Sequence, residues 1–272
     1  MWNRRRSLAV LAVIVVLVAA SVVAWPFLRN LGQTPGCTVT AALGAASDVP
    51  VTFTLSGEQA DNAATIAAVG IRLGMPDHAV TIALAAAFQE SGLHNLPDGD
   101  RDSAGLFQQR PSQGWGIRTQ ILDPIYAATA FYQELRAQPE WTQLSVADAA
   151  QLVQRSAAPS AYAQWELWAR AGAAALTGEV PAALTCRGLR TSSPSADLVA
   201  TATAELGTAV LSGMHTEARG WSIGSWLVAH ASRLGIDRVT FDGCTWTMTS
   251  GRWSQTGPAD RILSLHQARN AA

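Results

Sequence analysis

The sequence contains no lysine: its 19 cationic side chains are all arginine, set against 20 carboxylates for a formal net charge of −1 at pH 7. Neutralising a phosphate backbone takes a clustered excess of cations, so nucleic acid is excluded as an expected partner. Aromatic residues are also few, at 7% of 272, yet ten of them are Trp. Abundant alanine favours helices. The scattered large rings are left as anchors in cores or as faces for sugars to stack on. No long internal repeat, Gly-rich phosphate loop, zinc-ligand spacing or low-complexity tract is present, so neither a cofactor nor a metal is expected. Any chemistry must rest on single residues.

Charge is missing altogether from Leu8 to Leu28, which follows Arg4, Arg5 and Arg6 and precedes Arg29. A helix crossing the hydrocarbon of a bilayer needs about 20 apolar residues. Flanking arginines hold the N-terminus in the cytoplasm, and Trp2 and Trp25 fall where interfacial rings sit. The expectation is a single-pass anchor at residues 8–28, with the lipid bilayer as partner and everything beyond residue 28 outside the cytoplasm. A cleaved signal peptide with small residues at Ala19, Ala20 and Ala24 is the alternative and gives a secreted protein. Both readings export the chain and permit disulfides. Of the three cysteines, Cys37 and Cys186 bracket the segment that carries the chemistry, and they are expected to pair. A loop of that length contributes about 4–5 kcal/mol in the chain-entropy model. Cys244 is left over, expected buried and inert.

Residues 29–50, rich in Gly, Pro and small polar residues, read as a linker. A strand is expected at Val51–Leu55, then a helix from Gly57 to about Leu73 behind the cap Ser56, stopped by Gly74. Pro76 and Asp77 start a second helix, apolar on nearly every face, that ends at Glu90, Ser91 and Gly92. Residues 94–118 read as a long ordered loop. Further helices are expected behind Asp123-Pro124, from Val146 to Ser156 behind Ser145, and from Ser160 or Ala161 to Gly172. The domain at 51–186 is otherwise helix and loop. After a second linker at 187–197, residues 198–272 carry helices, then short β-rich runs at Arg238–Phe241, Thr245–Thr249 and Arg261–Leu265.

Glu90 stands at the C-terminal end of an apolar helix, where the helix dipole and burial both disfavour its charge. A carboxyl that keeps its proton near neutral pH is what glycosidic cleavage needs, because the leaving oxygen must be protonated. A solvated helix-terminal Glu is the bland alternative. Glu90 lies within the string Gln89-Glu90-Ser91-Gly92-Leu93, and a second string, Asp102-Ser103-Ala104-Gly105-Leu106-Phe107-Gln108, comes after it in the loop. This pair of strings resembles the "E-S" and "G-L-M-Q" motifs of lytic transglycosylases and goose-type lysozymes, with Phe107 at the usual Met. The longer runs Gly99–Ser103 and Gly105–Gly116, Asp123-Pro124, Phe131-Tyr132, Gln154-Arg155-Ser156 and Ala161-Tyr162-Ala163 are similar to a secreted actinobacterial subgroup, and the resemblance covers roughly residues 57 to 170.

The resemblance implies a mainly α lysozyme-like domain, here after an N-terminal transmembrane helix and before a small C-terminal α/β domain. It implies peptidoglycan as substrate, Glu90 as sole acid/base, Ser91 as its support, and Gly105, Leu106, Phe107 and Gln108 as a turn brought toward the glycan. Tyr162 falls at the late Tyr that packs over the reacting sugar. Related chains read "R-S-A-F-P-D-A-Y", and Ala158 and Ser160 depart from that pattern. Asp100 and Asp102 are candidates for the second carboxylate of an ordinary glycosidase, although Asx turns and pairing with Arg101 or Arg110 explain them as well. With one acid placed, the transglycosylase route fits best, since the substrate's N-acetyl group and a sugar hydroxyl do the rest. Trp115 is the ligand-facing candidate among the tryptophans, while Trp165 and Trp168 are expected in the core. His78 and His94 receive no role. The C-terminal segment weakly resembles a small domain found behind cell-wall hydrolases, and its Trp221, Ile223, Trp226, Leu227 and Ala231 stripe is expected to form a core. A catalytically inactive scaffold that binds peptidoglycan or envelope proteins is the competing function.

Overall fold

The structure is a computed structural model and describes residues 35–44, 49–156, 159–190 and 194–268. Its helices begin and end where local chemistry says they should. Ser56 opens α1 (Gly57–Arg72) with a reciprocal capping box: Gln59 N donates to Ser56 Oγ at 3.1 Å and Ser56 N donates to Gln59 Oε1 at 2.8 Å. Helix α2 (Asp77–Ser91) follows Pro76, and every residue from Ala79 to Phe88 is buried, so it is the central helix. Gly92 stops it in the left-handed region at φ +61°. A short α3 (Arg118–Ile121) leads to α4 (Pro124–Ala137), capped by Asp123, and α5 (Val146–Gln154), capped by Ser145. A 3₁₀ stretch, Pro159–Trp165, precedes α6 (Glu166–Thr177). Helices α5 and α6 both pack against α2.

Three strands close this part of the chain. β1 (Gly36–Ala41) lies between β2 (Val51–Leu55) and β3 (Leu184–Arg187), antiparallel to both. Cys37 faces Cys186 in the β1–β3 register, and the two form a disulfide across 149 residues of sequence. Cys37, Val39 and Ala41 point inward while Thr38 and Thr40 do not, the period of two that a half-buried strand requires.

The remaining chain forms α7 (Leu198–Leu206), β4 (Gly213–Met214), α8 (Glu217–Ala229), α9 (Ala231–Leu234), β5 (Ile236–Phe241), β6 (Cys244–Thr247), β7 (Trp253–Gln255) and β8 (Ile262–Gln267). The five strands make an antiparallel sheet in the order β4-β8-β5-β6-β7. The fold class expected from the sequence is therefore corrected. Two antiparallel sheets accompany the helices, and one of them joins the expected strand Val51–Leu55 to stretches read as linker and as helix-and-loop. Among the described residues no helix is long and apolar enough to cross a membrane, and the expected anchor at residues 8–28 lies outside them. Cys244 is half-buried, with its thiol on Gln255 Oε1 at 3.3 Å.

The C-terminal segment is bonded to β3. Trp246 Nε1 donates to the Cys186 carbonyl at 3.1 Å, Trp253 Nε1 to that of Leu184 at 2.9 Å, and Thr185 Oγ1 to that of Gly251 at 2.7 Å. Helix α8, with Trp221, Ile223, Trp226 and Leu227 buried, packs against α6, α1 and β5. Beneath it lies a buried set of four charges. His230 touches Asp61 of α1 through Nδ1 and Glu205 of α7 through Nε2 at 2.9 Å, and Arg233 reaches both carboxylates at 3.0 Å. Trp226 Nε1 and Thr65 Oγ1 also donate to Glu205 Oε2, at 2.8 and 3.1 Å.

Burial alone would lower the pKa of His230, but the two carboxylates outweigh it and hold the imidazole up to about 9. They are themselves held down, Glu205 to about 2, by His230 and Arg233 against the cost of their own burial. A cation whose folded pKa is raised lends stability that is complete below its unfolded value and lost as pH rises toward the folded one. Thermal denaturation should thus show a midpoint that falls between about pH 6.5 and pH 9. His230→Gln should be markedly less stable at pH 6 and lose this slope; a variant with the wild-type slope would contradict the assignment. Replacing Cys37 and Cys186 together with Ser should cost about 2–5 kcal/mol in urea unfolding.

Candidate active site

Helix α2 delivers Glu90 half-buried to the floor of a cleft of about 470 Å³, lined also by Asp100, Arg101, Ser103, Gln108, Trp115 and Gln154. A second hollow of about 600 Å³ shares Gln113, Trp115, Gln154 and Arg155 with it and runs on past Tyr126 and Glu134. These four residues form a wall common to the two hollows. Burial raises the pKa of Glu90, and hydrogen bonds from Tyr162 and Gln154 offset only part of that shift. Tyr162 Oη donates to Glu90 Oε1 at 2.5 Å. Tyr162 is buried, and burial followed by the neighbouring carboxylate raises its own pKa well above the usual phenol range, which keeps it a donor.

The Gly-rich loop is fastened under this floor. Ser91 Oγ donates to the Leu106 carbonyl at 2.7 Å and to that of Ala87 at 3.1 Å. Gly105 has φ +78°, and a Cβ there would stand 2.5 Å from the Ile121 carbonyl oxygen, so the turn requires glycine. Leu106 and Phe107, which the motif placed toward the glycan, are buried; Phe107 stacks on Phe131 with centroids 4.7 Å apart. They are corrected to core residues that hold the turn, because their apolar side chains face inward and neither lines the cleft. Gln108 lines the cleft at φ +47°, its amide nitrogen donating to the Gly105 carbonyl at 3.1 Å and its oxygen accepting from Ser103 at 3.0 Å.

Of the two candidate second carboxylates, Asp102 belongs to the loop. Arg110 Nε and the backbone N–H of Ser112 donate to it at 2.7 and 2.8 Å, and the Ser112 hydroxyl at 3.0 Å. The Ser112 amide, then Arg110, hold its pKa far below the usual carboxylate range. Asp102 is therefore a fixed anion spent on ordering the loop. Asp100 is at the cleft but its side chain is 94% exposed, 3.8 Å from Arg101. Neither is placed as a partner of Glu90.

Trp115 lines both hollows and is half-buried, with its carbonyl taking a hydrogen bond from Tyr126 Oη at 3.2 Å. Trp165 is half-buried and stacks on Phe88, with its N–H on Gln89 Oε1 at 2.9 Å. Trp168 stacks on Phe53 but is 40% exposed, which corrects its placement in the core. Ser160 is exposed and Ala158 lies outside the described residues. His78 stacks on Trp141 and His94 pairs with Glu58 at 3.1 Å, both away from the cleft. Among the described residues no group of His, Cys, Asp and Glu is arranged to hold a metal ion. Sequence reasoning gives Gln154 no role of its own, yet it bonds the Phe107 carbonyl at 2.8 Å and also Glu90. Its position at the last turn of a capped helix is the available signal.

Glu90 binds its proton more tightly folded than unfolded, so its contribution to stability fades as pH rises above the ordinary value of 4.5. Glu90→Gln should raise the melting midpoint at pH 7, and a lower midpoint would show that Glu90 serves the fold. Tyr162→Phe removes a donor that favours the carboxylate, so the Glu90 titration, followed by carbon NMR of its carboxyl, should move to still higher pH.

Comparison with known proteins finds no family model that matches this chain, and no curated protein matches it.

Proposed function

We propose that this protein cleaves the glycan strands of peptidoglycan outside the cytoplasm, with Glu90 as the single acid/base of a lytic transglycosylase or muramidase. The observation that carries the reading is one carboxyl, its pKa raised by burial, on the floor of an open polar groove and aimed by a phenol that cannot compete for its proton. Such a group protonates a leaving oxygen near neutral pH. The resemblance of the Glu90-Ser91 and Gly105–Gln108 strings to lysozyme-like enzymes supplies the substrate class.

In the first step Glu90 gives its proton to the glycosidic oxygen as the C1–O bond breaks. Tyr162 holds the other carboxyl oxygen and steadies the carboxylate that forms. Among the described residues no second carboxylate is fixed beside Glu90, which favours assistance by the substrate's own N-acetyl group over a protein nucleophile. Glu90 then takes the proton from the attacking oxygen. If that oxygen is the sugar's 6-hydroxyl an anhydro ring closes, and if it is water a reducing end forms. The Cys37–Cys186 disulfide supports an oxidising compartment, where this substrate is met.

Incubating the full chain with purified peptidoglycan and analysing soluble products by mass spectrometry tests the proposal. Anhydro-muropeptides identify a transglycosylase and reducing ends a hydrolase. Glu90→Gln should lower either product by about 10²-fold or more with the fold intact and a melting midpoint no lower than wild type. No product from wild type would overturn the reading in favour of a binding scaffold.

A further inference from the structure

The groove carries charges that cleavage of an uncharged sugar backbone does not call for. Of the charged groups lining it, Arg110 is neutralised by Asp102, and burial raises the pKa of Glu90. Arg101 and Arg155 remain, with Asp100 and Glu134 as their neighbours. Both pairs are loose: Arg101 stands 3.8 Å from Asp100 with its side chain 69% exposed, and Arg155 stands 3.3 Å from Glu134 with its side chain 78% exposed. Exposed pairs of this kind contribute little, so neither guanidinium is tied up by the fold.

The backbone under these groups is unusual as well. Among the described residues eight non-glycines have positive φ, and three of them, Arg101 (+57°), Gln108 (+47°) and Arg155 (+51°), line this one cleft. Left-handed conformations are disfavoured for long side chains and persist where the surroundings demand them. Arg155 occupies the C-cap of α5, where Gly or Asn is the ordinary choice. It lines both hollows, beside Gln154, which bonds Glu90. A strained cap with an outstretched cation is explained by a ligand that carries negative charge along the groove.

We infer that Arg155, with Arg101, reads carboxylates of the stem peptide carried by the muramic acid residues, so that the groove prefers peptide-bearing strands whose stem carboxylates are free. This inference rests on the glycan-cleavage reading. A guanidinium fork matches a carboxylate with two parallel hydrogen bonds, and Arg155, which lines both hollows, reaches a stem lying past Trp115 while the sugar bond lies over Glu90. Arg101 and Arg155 are binding residues, with no part in proton transfer.

The test compares kcat/KM on two soluble, uncross-linked glycan preparations: strands with free stem carboxylates, and the same strands with those carboxylates converted to methylamides. Wild type should prefer the free-carboxylate strands, and added salt should shrink the preference. Arg155→Asn, which suits the left-handed cap, and Arg101→Asn should each reduce the ratio of the two values by about three- to tenfold, mainly through KM, as an exposed charge-assisted contact allows. Arg155→Lys should restore part of it. Equal cleavage of both preparations by wild type, or an unchanged ratio in both Asn variants, overturns the inference and leaves glycan cleavage standing. Cleavage of neither preparation by wild type overturns both.

Discussion

Ser91 donates a single hydrogen bond to the carbonyl of Leu106, and that bond makes one rigid piece of two segments that the chain separates. On one side is α2, buried from Ala79 to Phe88 and so unable to turn or slide without exposing apolar surface. On the other is the turn at Gly105–Gln108, pinned by its close approach to the Ile121 carbonyl and by the Phe107–Phe131 stack. The helix fixes the height of Glu90 and the turn fixes the wall beside it. Gln154 repeats the device from a third direction by bonding the Phe107 carbonyl. A carboxyl can be kept partly out of water, at the cost that raises its pKa, only where the surroundings are this firmly set.

Whatever depends on neighbours in sequence was legible, and so was the Cys37–Cys186 disulfide, but the strand pairing around it was not. The starts at Ser56, Asp123 and Ser145 and the stop at Gly92 follow from side chains and glycine conformation within a few residues. Glu90 is placed at its helix end by the same signals. Strands β1 and β3 are short, and each is stabilised by a partner 149 residues away at the disulfide. Their alternating Cys37, Val39 and Ala41 become meaningful only once that partner is known. The motif also hides which way its residues face, since Phe107 belongs to the string yet serves the core. Asp102 shows the reverse case: pairing with Arg110 is one of the readings its sequence allows, and the loop uses it so.

The buried charges around His230 extend the same logic to the far side of α1. Asp61 binds His230 and Arg233, while the next residue, Asn62, donates to the Leu93 carbonyl at 2.8 Å, and Gln59 donates to that of Gly92 at 2.8 Å. Helix α1 therefore carries the C-terminal charge network and the stop of the helix that bears Glu90 on the same turn. Buried ion pairs stabilise little over apolar packing, but removing one partner leaves a charge stranded. Here that sensitivity has a direction. Loss of the His230 proton leaves Asp61 and Glu205 with Arg233 alone, and the strain falls on the helix that holds the backbone just after Glu90. A segment assigned by composition to a separate module thus bears on the geometry around Glu90 through helix α1 and its Gln59, Asp61 and Asn62 side chains.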